Sequence, residues 1–339
     1  SKRNNFLVAI TDPLLDFIGL ASLDLSTGEI SVKKIPVSEI QGELGCLDPK
    51  EILLPVSFEK GLSRSYSALQ LEEIIPVHLR TYRNSYLFEY GSACDALKSN
   101  YNVRDVKTLG FEDSDDQMVV AIGALLTYVE EIRPQGVLHL QDPRVVKDGV
   151  TMLLDEMTRR NLELVDPLRP GQEEATLISV LDETLTPMGA RTLRKWLLRP
   201  LLGLERILER QAGIKELYER RGLRVGFRRA LAQINDLERL AARLGSTRMN
   251  PRDLLVLNSS FKKLPQIREN GTLLQSNILC RLIENVDLME DLVELIEISI
   301  DVDTPTKLSD GQVIREGYSK ELDELRRVRN EAKSLIANL

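Results

Sequence analysis

VLDETLTPMGARTLRKWLLRPLLGLERILERQAGIKELY, from Val180 to Tyr218, reads as two amphipathic helices that meet at a proline. Thr186-Pro187 has the form of a helix start, with threonine as N-cap and proline at the first helical position, where its missing N–H costs nothing. Met188, Leu193, Trp196 and Leu197 then fall close to one helical stripe, with Arg191, Arg194, Lys195 and Arg199 around the rest. Arg199-Pro200 ends that helix, because the residue before a proline is pushed out of the α region. Leu204, Ile207, Leu208, Ile214, Leu217 and Tyr218 give the next helix its apolar face at three- and four-residue spacing. Pro187, Trp196 and Leu197 are the expected structural anchors. Trp196, the only tryptophan, is expected in the core, where truncation to alanine removes about 3–5 kcal/mol.

Outward from this pair the chain divides into an α/β part and an all-α part. With 339 residues it is long for one core, so two domains are expected, 1–135 and 136–339. Phe6 to Thr11, Phe17 to Leu25 and Ile30 to Ile35 are β-rich runs, the last two separated by the turn Ser26-Thr27-Gly28-Glu29, and predict an antiparallel meander. Val37 to Leu47 predicts a short helix, Glu51 to Pro55 a strand, and Gly91 to Asn100 another helix. Ser114-Asp115-Asp116 caps a strongly apolar helix from Met118 that stops at Arg133-Pro134-Gln135-Gly136. From Gly136 to Gly149 the chain is proline-broken, a connection between domains. Beyond it helices are predicted at Asp155 to Leu162, Pro187 to Leu198, Leu204 to Glu219, Leu223 to Gly245, Asn250 to Leu264, Ile278 to Ile298 and Tyr318 to Leu339. In the last, Leu322, Leu325, Val328, Ala332, Leu335 and Leu339 form a narrow coiled-coil-like seam. A polar loop with a β-like piece, Gln312 to Arg315, precedes it. The chain opens without methionine, almost at once in a strand, and ends within a helix, so a piece of a longer protein is expected.

Composition narrows the function classes. A formal net charge of −7 excludes a uniformly basic nucleic-acid binder, so such contact needs a local patch. Cys46, Cys94 and Cys280 lie far apart without a C-x-x-C pair, which points away from a zinc cluster or disulfide framework and towards a reducing cytoplasm. The longest apolar run, Met118 to Val129, is too short for a bilayer, and SKRNNFLVAI lacks the apolar core of a signal peptide. Two histidines in unrelated contexts, His78 and His139, leave no Ser-His-Asp or Cys-His pairing. Neither a phosphate loop nor a G-x-G-x-x-G is present, so no catalytic, cofactor or metal residue is assigned. Asp12, Asp16, Asp24 and Glu29 are the one acidic grouping a two-metal nuclease could use, though turn chemistry explains Asp12 and Asp24 equally well.

Basic residues are denser. Arg191, Arg194, Lys195 and Arg199 share one helix, Arg159-Arg160 precedes them, and ERRGLRVGFRR (Glu219 to Arg229) follows. Three uses are open: holding phosphates, forming solvated faces balanced by Glu205, Glu209, Glu216 and Glu238, or pairing with carboxylates and carbonyls at helix junctions.

TRRNLEL (Thr158 to Leu164), SVLDETLTPMGARTLRKWLLRPL (Ser179 to Leu201), INDLERLAARL (Ile234 to Leu244) and NPRDL (Asn250 to Leu254) resemble the core of the bacterial MutS DNA mismatch repair proteins. DGQVIREGYSKELDELRRVRNEAKSLIANL resembles the segment that rises from that core towards the clamp, and GLASLDLSTGEI (Gly19 to Ile30) is similar to the connector domain before it. The resemblance runs in order over essentially the whole chain. It implies an RNase H-like connector without nuclease activity and a helical lever between the DNA-gripping end and the ATPase. It also implies a MutL-type partner docking on the connector and, for the full-length protein, mismatched DNA, a MutS homodimer, ATP and magnesium. The family's Phe-x-Glu wedge is not matched by Phe58-Glu59 or Phe111-Glu112, so mismatch-reading and ATPase residues map onto nothing here, and no enzyme activity is expected of this chain. A nuclease of the RNase H type and a stand-alone helical scaffold are the alternatives.

Overall fold

The computed structural model describes residues 4–59, 71, 73–132, 140–146, 150–169, 171–245 and 249–337. His139, the Arg133–Gly136 break, and half of the predicted connection lie outside them, as does the end of the seam at Leu339; of the Leu335 side chain nothing is described.

The N-terminal part is built on a mixed sheet in the order β5-β4-β1-β2-β3-β6. Strands β1 (Phe6–Ile10), β2 (Phe17–Asp24) and β3 (Ile30–Pro36) form the predicted antiparallel meander, with Ala9 opposite Ala21 and Ala21 opposite Val32. Strand β4 (Glu51–Pro55) runs parallel to β1, and β5 (Arg80–Arg83) parallel to β4. A short β6 (Arg144–Val145) pairs parallel with β3. Neither β5 nor β6 is predicted above, because RTYR and RV carry little apolar pattern and are ordered by the neighbour they pair with.

Both faces of the sheet are covered, which is why β2 is an almost unbroken apolar run and not an alternating one. On one face Leu7, Ala9, Leu23 and Val32 meet the helices Tyr90–Tyr101 and Asp116–Ile132, the latter with Val119, Ile122 and Leu125 turned inward. Gly19 on β2 is required there: a Cβ would overlap the Gln117 carbonyl at the start of the long helix. On the other face Val8, Ile10, Ile18, Leu20 and Ile52 pack with Ile40 and Leu44 of helix α1 (Ile40–Leu47), and with Phe58 and Ile75.

The meander also carries a strained tip. Leu14 and Phe17 exchange backbone hydrogen bonds at 2.8 and 3.1 Å, which closes a hairpin whose two loop residues, Leu15 and Asp16, both have positive φ (50° and 64°). That conformation normally takes Asn-Gly, yet Leu15 is 87 % exposed and touches no core. Leu15→Gly is therefore expected to raise stability by about 0.5–1 kcal/mol, by releasing the left-handed strain. A melt showing loss instead of gain would place Leu15 in a contact that the fold needs.

From Glu156 onward the described residues are helical, in keeping with the α/β-then-all-α reading. The helix Pro187–Leu198 starts as predicted, with Thr186 Oγ1 accepting from the Gly189 N–H at 3.0 Å. Asn250 and Asp253 form a reciprocal capping box on the helix Pro251–Phe261. Two predicted helices are each broken in two: Leu223–Gly245 into Arg221–Leu231 and Leu237–Gly245, and Ile278–Ile298 into Asn277–Glu284 and Glu290–Ser299. The chain forms two compact units, Ser1–Arg210 with Ala241–Thr247, and Gln211–Leu240 with Arg248–Leu339, divided inside the helix Leu204–Glu219. The second unit has its own core of Leu240, Leu257 and Phe261, with Met289 and Val293 against them.

Within that second unit the helix Asn277–Glu284 has no cap of its own. Glu216 supplies one from a distance, accepting the N–H groups of Gln275 at 2.8 Å and Ser276 at 2.7 Å while pairing with Arg220 at 2.9 Å. Burial alone pushes the Glu216 carboxyl up, and the hydrogen bonds from Ser276, Gln275 and Arg220 outweigh it, so its pKa lies below the usual 4.5. A depressed folded value means stability that is complete above 4.5 and lost as pH falls through the folded pKa. Glu216→Gln is expected to flatten this acid limb in melts between about pH 5 and pH 2. An unchanged acid limb would show the carboxylate hydrated and not capping.

Candidate functional site

In the first unit, charged side chains converge on α1, where the sheet layer meets the first helices of the all-α part. Glu43, in the first turn of α1, is 2 % exposed and faces Lys33 of β3. It pairs with the Lys33 ammonium through one oxygen and with the Arg199 guanidinium through the other. Arg159, on the short helix Glu156–Asn161, donates to the Gly42 carbonyl at 2.8 Å and reaches the Cys46 sulfur at 2.6 Å. Gly45 leaves the room for that guanidinium, since a Cβ there would overlap it. Leu198 and Cys46 join Leu154, Leu164, Val165 and Ile178 in a small apolar cluster beside these charges.

Two cations, Lys33 and Arg199, share the Glu43 carboxylate, and Arg159 stands beside them on the Gly42 carbonyl and the Cys46 sulfur. Cys46 contributes no anion at neutral pH, because burial pushes its thiol up, against the pull of Arg159 and Arg199. Burial pushes the Lys33 ammonium down, and Glu43 opposes this. A cluster of this kind adds little net stability compared with apolar packing, but it is intolerant of losing its one anion.

The four basic residues singled out on Pro187–Leu198 are engaged within this unit. Arg191 is buried, at 5 % exposure. Arg194 reaches Asp166 at 3.3 Å and the Val165 carbonyl at 3.5 Å, Lys195 pairs with Glu29, and Arg199 with Glu43. The carboxylates that meet Arg194, Lys195 and Arg199 are Asp166, Glu29 and Glu43, and Glu216 meets Arg220 of the later basic run. Pro187 holds the first helical position as expected, and Leu197 is half-buried.

Trp196 requires a correction. It is 43 % exposed, with the Arg210 guanidinium 3.6 Å from its ring centroid. The inward line of this helix is Arg191, Arg194 and Leu198, at i, i+3 and i+7, so the arginines point in and the tryptophan out. Arginine stems pack like aliphatic chains while their forks find carboxylates from distant segments, and helix-local apolar counting cannot see those partners. Trp196→Ala is accordingly expected to cost about 1–2 kcal/mol, the sum of a partly exposed ring and one cation–π contact, in place of a core truncation. Urea melts showing more than about 3 kcal/mol would restore the core reading.

The acidic grouping does not converge. Asp12 follows β1, accepts from Ser57 Oγ at 2.9 Å, and has its pKa raised by burial against that hydrogen bond. Asp24, at the far end of β2, is fully buried and accepts from Asn4, Asn5 and Ser26 as the organiser of a turn. Asp12 lies beside Ile18, so the two acids are roughly 20 Å apart at about 3.3 Å per strand residue. Glu29 is held by Lys195. Among the described residues no group of three or more His, Cys, Asp or Glu is placed to hold a metal, and no helix is long and apolar enough to cross a membrane. Sequence reading missed Lys33 and Glu43 as site residues. The available signal was GELG, two glycines inside one short helix, which is costly unless something approaches closely.

The sequence is matched by known proteins. Residues 5–141 match the family model of MutS domain II, and residues 157–339 that of MutS domain III. The DNA mismatch repair protein MutS of Symbiobacterium thermophilum is 35 % identical over 342 residues, covering all of this chain and 38 % of the relative. Those of Salinibacter ruber and Chlorobaculum parvum are 34 % and 33 % identical, again over all of this chain, and 37 % and 38 % of their own length. The chain thus spans well under half of the curated relatives it matches. A charged junction on α1 ties a mixed sheet to the TPMG helix, one matched region lies on each side, and more than half of the residues fall in the second: the chain belongs to the MutS family, of which it carries domains II and III.

Proposed function

We propose that this chain is the connector and lever of a MutS-like mismatch repair protein, a mechanical module that relates mismatched-DNA binding to ATP hydrolysis carried out elsewhere in the full-length homodimer. The observation that carries the reading is the Glu43 cluster. It joins β3 and α1 to the first helices of the all-α part through buried charges, so a displacement of Pro187–Leu198 pulls on the sheet layer. Arg191, Arg194, Lys195 and Arg199 then serve as junction contacts and not as phosphate contacts. The domain boundary is placed near residue 135, with an RNase H-like connector before it. A three-stranded meander extended by two strands parallel to the first supports that assignment. Catalysis, ATP and magnesium belong outside these residues, and the protein works in the cytoplasm.

Docking of a MutL-type partner is assigned to the connector, with the exposed Leu14, Leu15 and Phe17 tip as its best-supported surface, because strain and apolar exposure coincide there.

Coupling is tested in a full-length MutS protein carrying this segment with Glu43→Gln. The expected result is unchanged mismatch affinity with loss of the mismatch-dependent change in ATP turnover. Retention of that dependence would overturn the reading, as would ATP turnover by the isolated 339-residue chain.

A further inference from the structure

The run from Glu284 to Asp303, ENVDLMEDLVELIEISIDVD, holds eight acids and no lysine or arginine. At its centre is the helix Glu290–Ser299 of the second unit, which carries apolar residues on two opposite sides. The inner side is covered. Met289 and Val293 lie against the core of Leu240, Leu257 and Phe261, and Ile296 is buried. Glu297 pairs with Lys262, at the end of the helix Pro251–Phe261.

The outer side is open. Leu295 and Ile298 are 48 % and 50 % exposed. With about 3.6 residues per turn, Asp291, Glu294, Leu295 and Ile298 fall within a stripe about 100° wide, opposite Val293 and Ile296. A helix that is apolar on both sides belongs in an interior, and here one of those sides meets nothing among the described residues. The acids of the stripe also lack cations: among the described residues Glu290, Asp291 and Glu294 have no ion-pair partner. Glu294 stands four residues from Glu290 and three from Asp291, like-charge spacings that weaken a helix until something basic covers them. Beside the first turn, Glu284, Asp287, Glu290 and Asp291 line an open concavity of about 640 Å³, with Arg268 the one cation on its wall.

We propose that this outer face docks a basic amphipathic helix of a partner protein. The partner's apolar side chains cover Leu295 and Ile298, its lysines or arginines meet Asp291 and Glu294, and one long basic side chain enters the concavity. Charge selects the occupant. Nucleic acid, anionic lipid and acidic helices are repelled by the carboxylates, and a wholly apolar partner would strip water from them without supplying a cation. A helix fits the shape, because Leu295 and Ile298, three residues apart, form a ridge that seats between the side chains of a second helix. The face uses none of the junction residues, which belong to the first unit, so it stands or falls separately from the coupling role.

The test is a fluorescence-anisotropy titration of a labelled amphipathic leucine–lysine helix with the 339-residue chain. Saturable binding is expected, weakened but not abolished by salt, because screening acts on the charges and not on the apolar contact. L295A/I298A and D291N/E294Q are each expected to weaken binding more than about tenfold, as truncation at the centre of an interface does. Their urea melts are expected to match the parent chain, since all four side chains are exposed. D291E/E294D keeps both charges and is expected to retain most of the affinity. Four results would overturn the proposal: no binding by the chain; unchanged affinity in either weakening variant; equal binding of a leucine–lysine peptide of the same composition scrambled to remove its apolar side, which would show charge attraction alone; or salt-sensitive self-association of the chain that is lost in D291N/E294Q, which would make a second copy the occupant.

Discussion

Glu43→Gln is expected to destabilise the first unit by about 3–5 kcal/mol, the cost of breaking a buried ion cluster by removing one partner. The size follows from what is left behind. Glu43 pairs with both Lys33 and Arg199, and the amide that replaces it cannot balance either of them. Arg199, with 22 % of its side chain exposed, can turn to water; Lys33, with 9 %, cannot without lifting α1. Lys33 must then give up its proton, in the direction burial already pushes it. The linkage sign is fixed: with a folded pKa below 10.5, the unfolded chain holds more protons as pH rises towards that value, so stability rises with pH in that window, and more steeply in the variant. Replacing both partners by apolar groups, as in Lys33→Met with Glu43→Leu, is expected to recover most of the loss, because the desolvation of both charges disappears with them. Urea melts followed by Trp196 fluorescence report this unit. A loss below about 1 kcal/mol for Glu43→Gln would mean that the cluster is hydrated and holds nothing in place.

The contrast between elements shows what a sequence discloses. The meander, the strand Glu51–Pro55 and the helix starts at Pro187 and Pro251 are local: alternation, turns and caps are written within a few residues of where they act. Strand β5 and the broken helices are not local, since RTYR is a strand only because β4 lies beside it. The junction is less local still. Glu43 and Arg199 are separated by most of the first unit's length, and neither residue alone differs from a surface charge. Helix Pro187–Leu198 turns Arg191 and Arg194 inward and Trp196 outward for the same reason. Apolar spacing located a stripe through Trp196 correctly as a pattern, but the carboxylates of Glu43 and Asp166 made the arginine side the buried one. Family resemblance was legible because it rests on ordered residues, not on which way they face.

Gly19→Ala separates local from tertiary control most sharply, because the two predict opposite signs. Glycine inside a strand is disfavoured relative to alanine by about 0.5–1 kcal/mol, so propensity alone expects the substitution to stabilise. Packing expects the reverse. Gly19 pairs with Lys34 on β3 and exchanges hydrogen bonds with Thr11, accepting from its N–H at 3.1 Å and donating to its Oγ1 at 2.9 Å, so its backbone has no freedom to retreat. A Cβ would overlap the Gln117 carbonyl, which is backbone in the first turn of Asp116–Ile132 and cannot swing aside as a side chain would. Relief requires lifting the start of that helix, and with it the contacts of Met118, Val119 and Ile122 against the sheet. A loss of about 3 kcal/mol is therefore expected, at the upper end for one added methyl group. Gly45→Ala provides the matched comparison. Its obstacle is the end of the Arg159 side chain, which can shift, so its cost is expected near 1 kcal/mol, roughly that of one hydrogen bond to the Gly42 carbonyl. If Gly19→Ala stabilised the chain in urea melts, the close approach of helix to strand would be wrong, and with it the account of why glycine stands at that position.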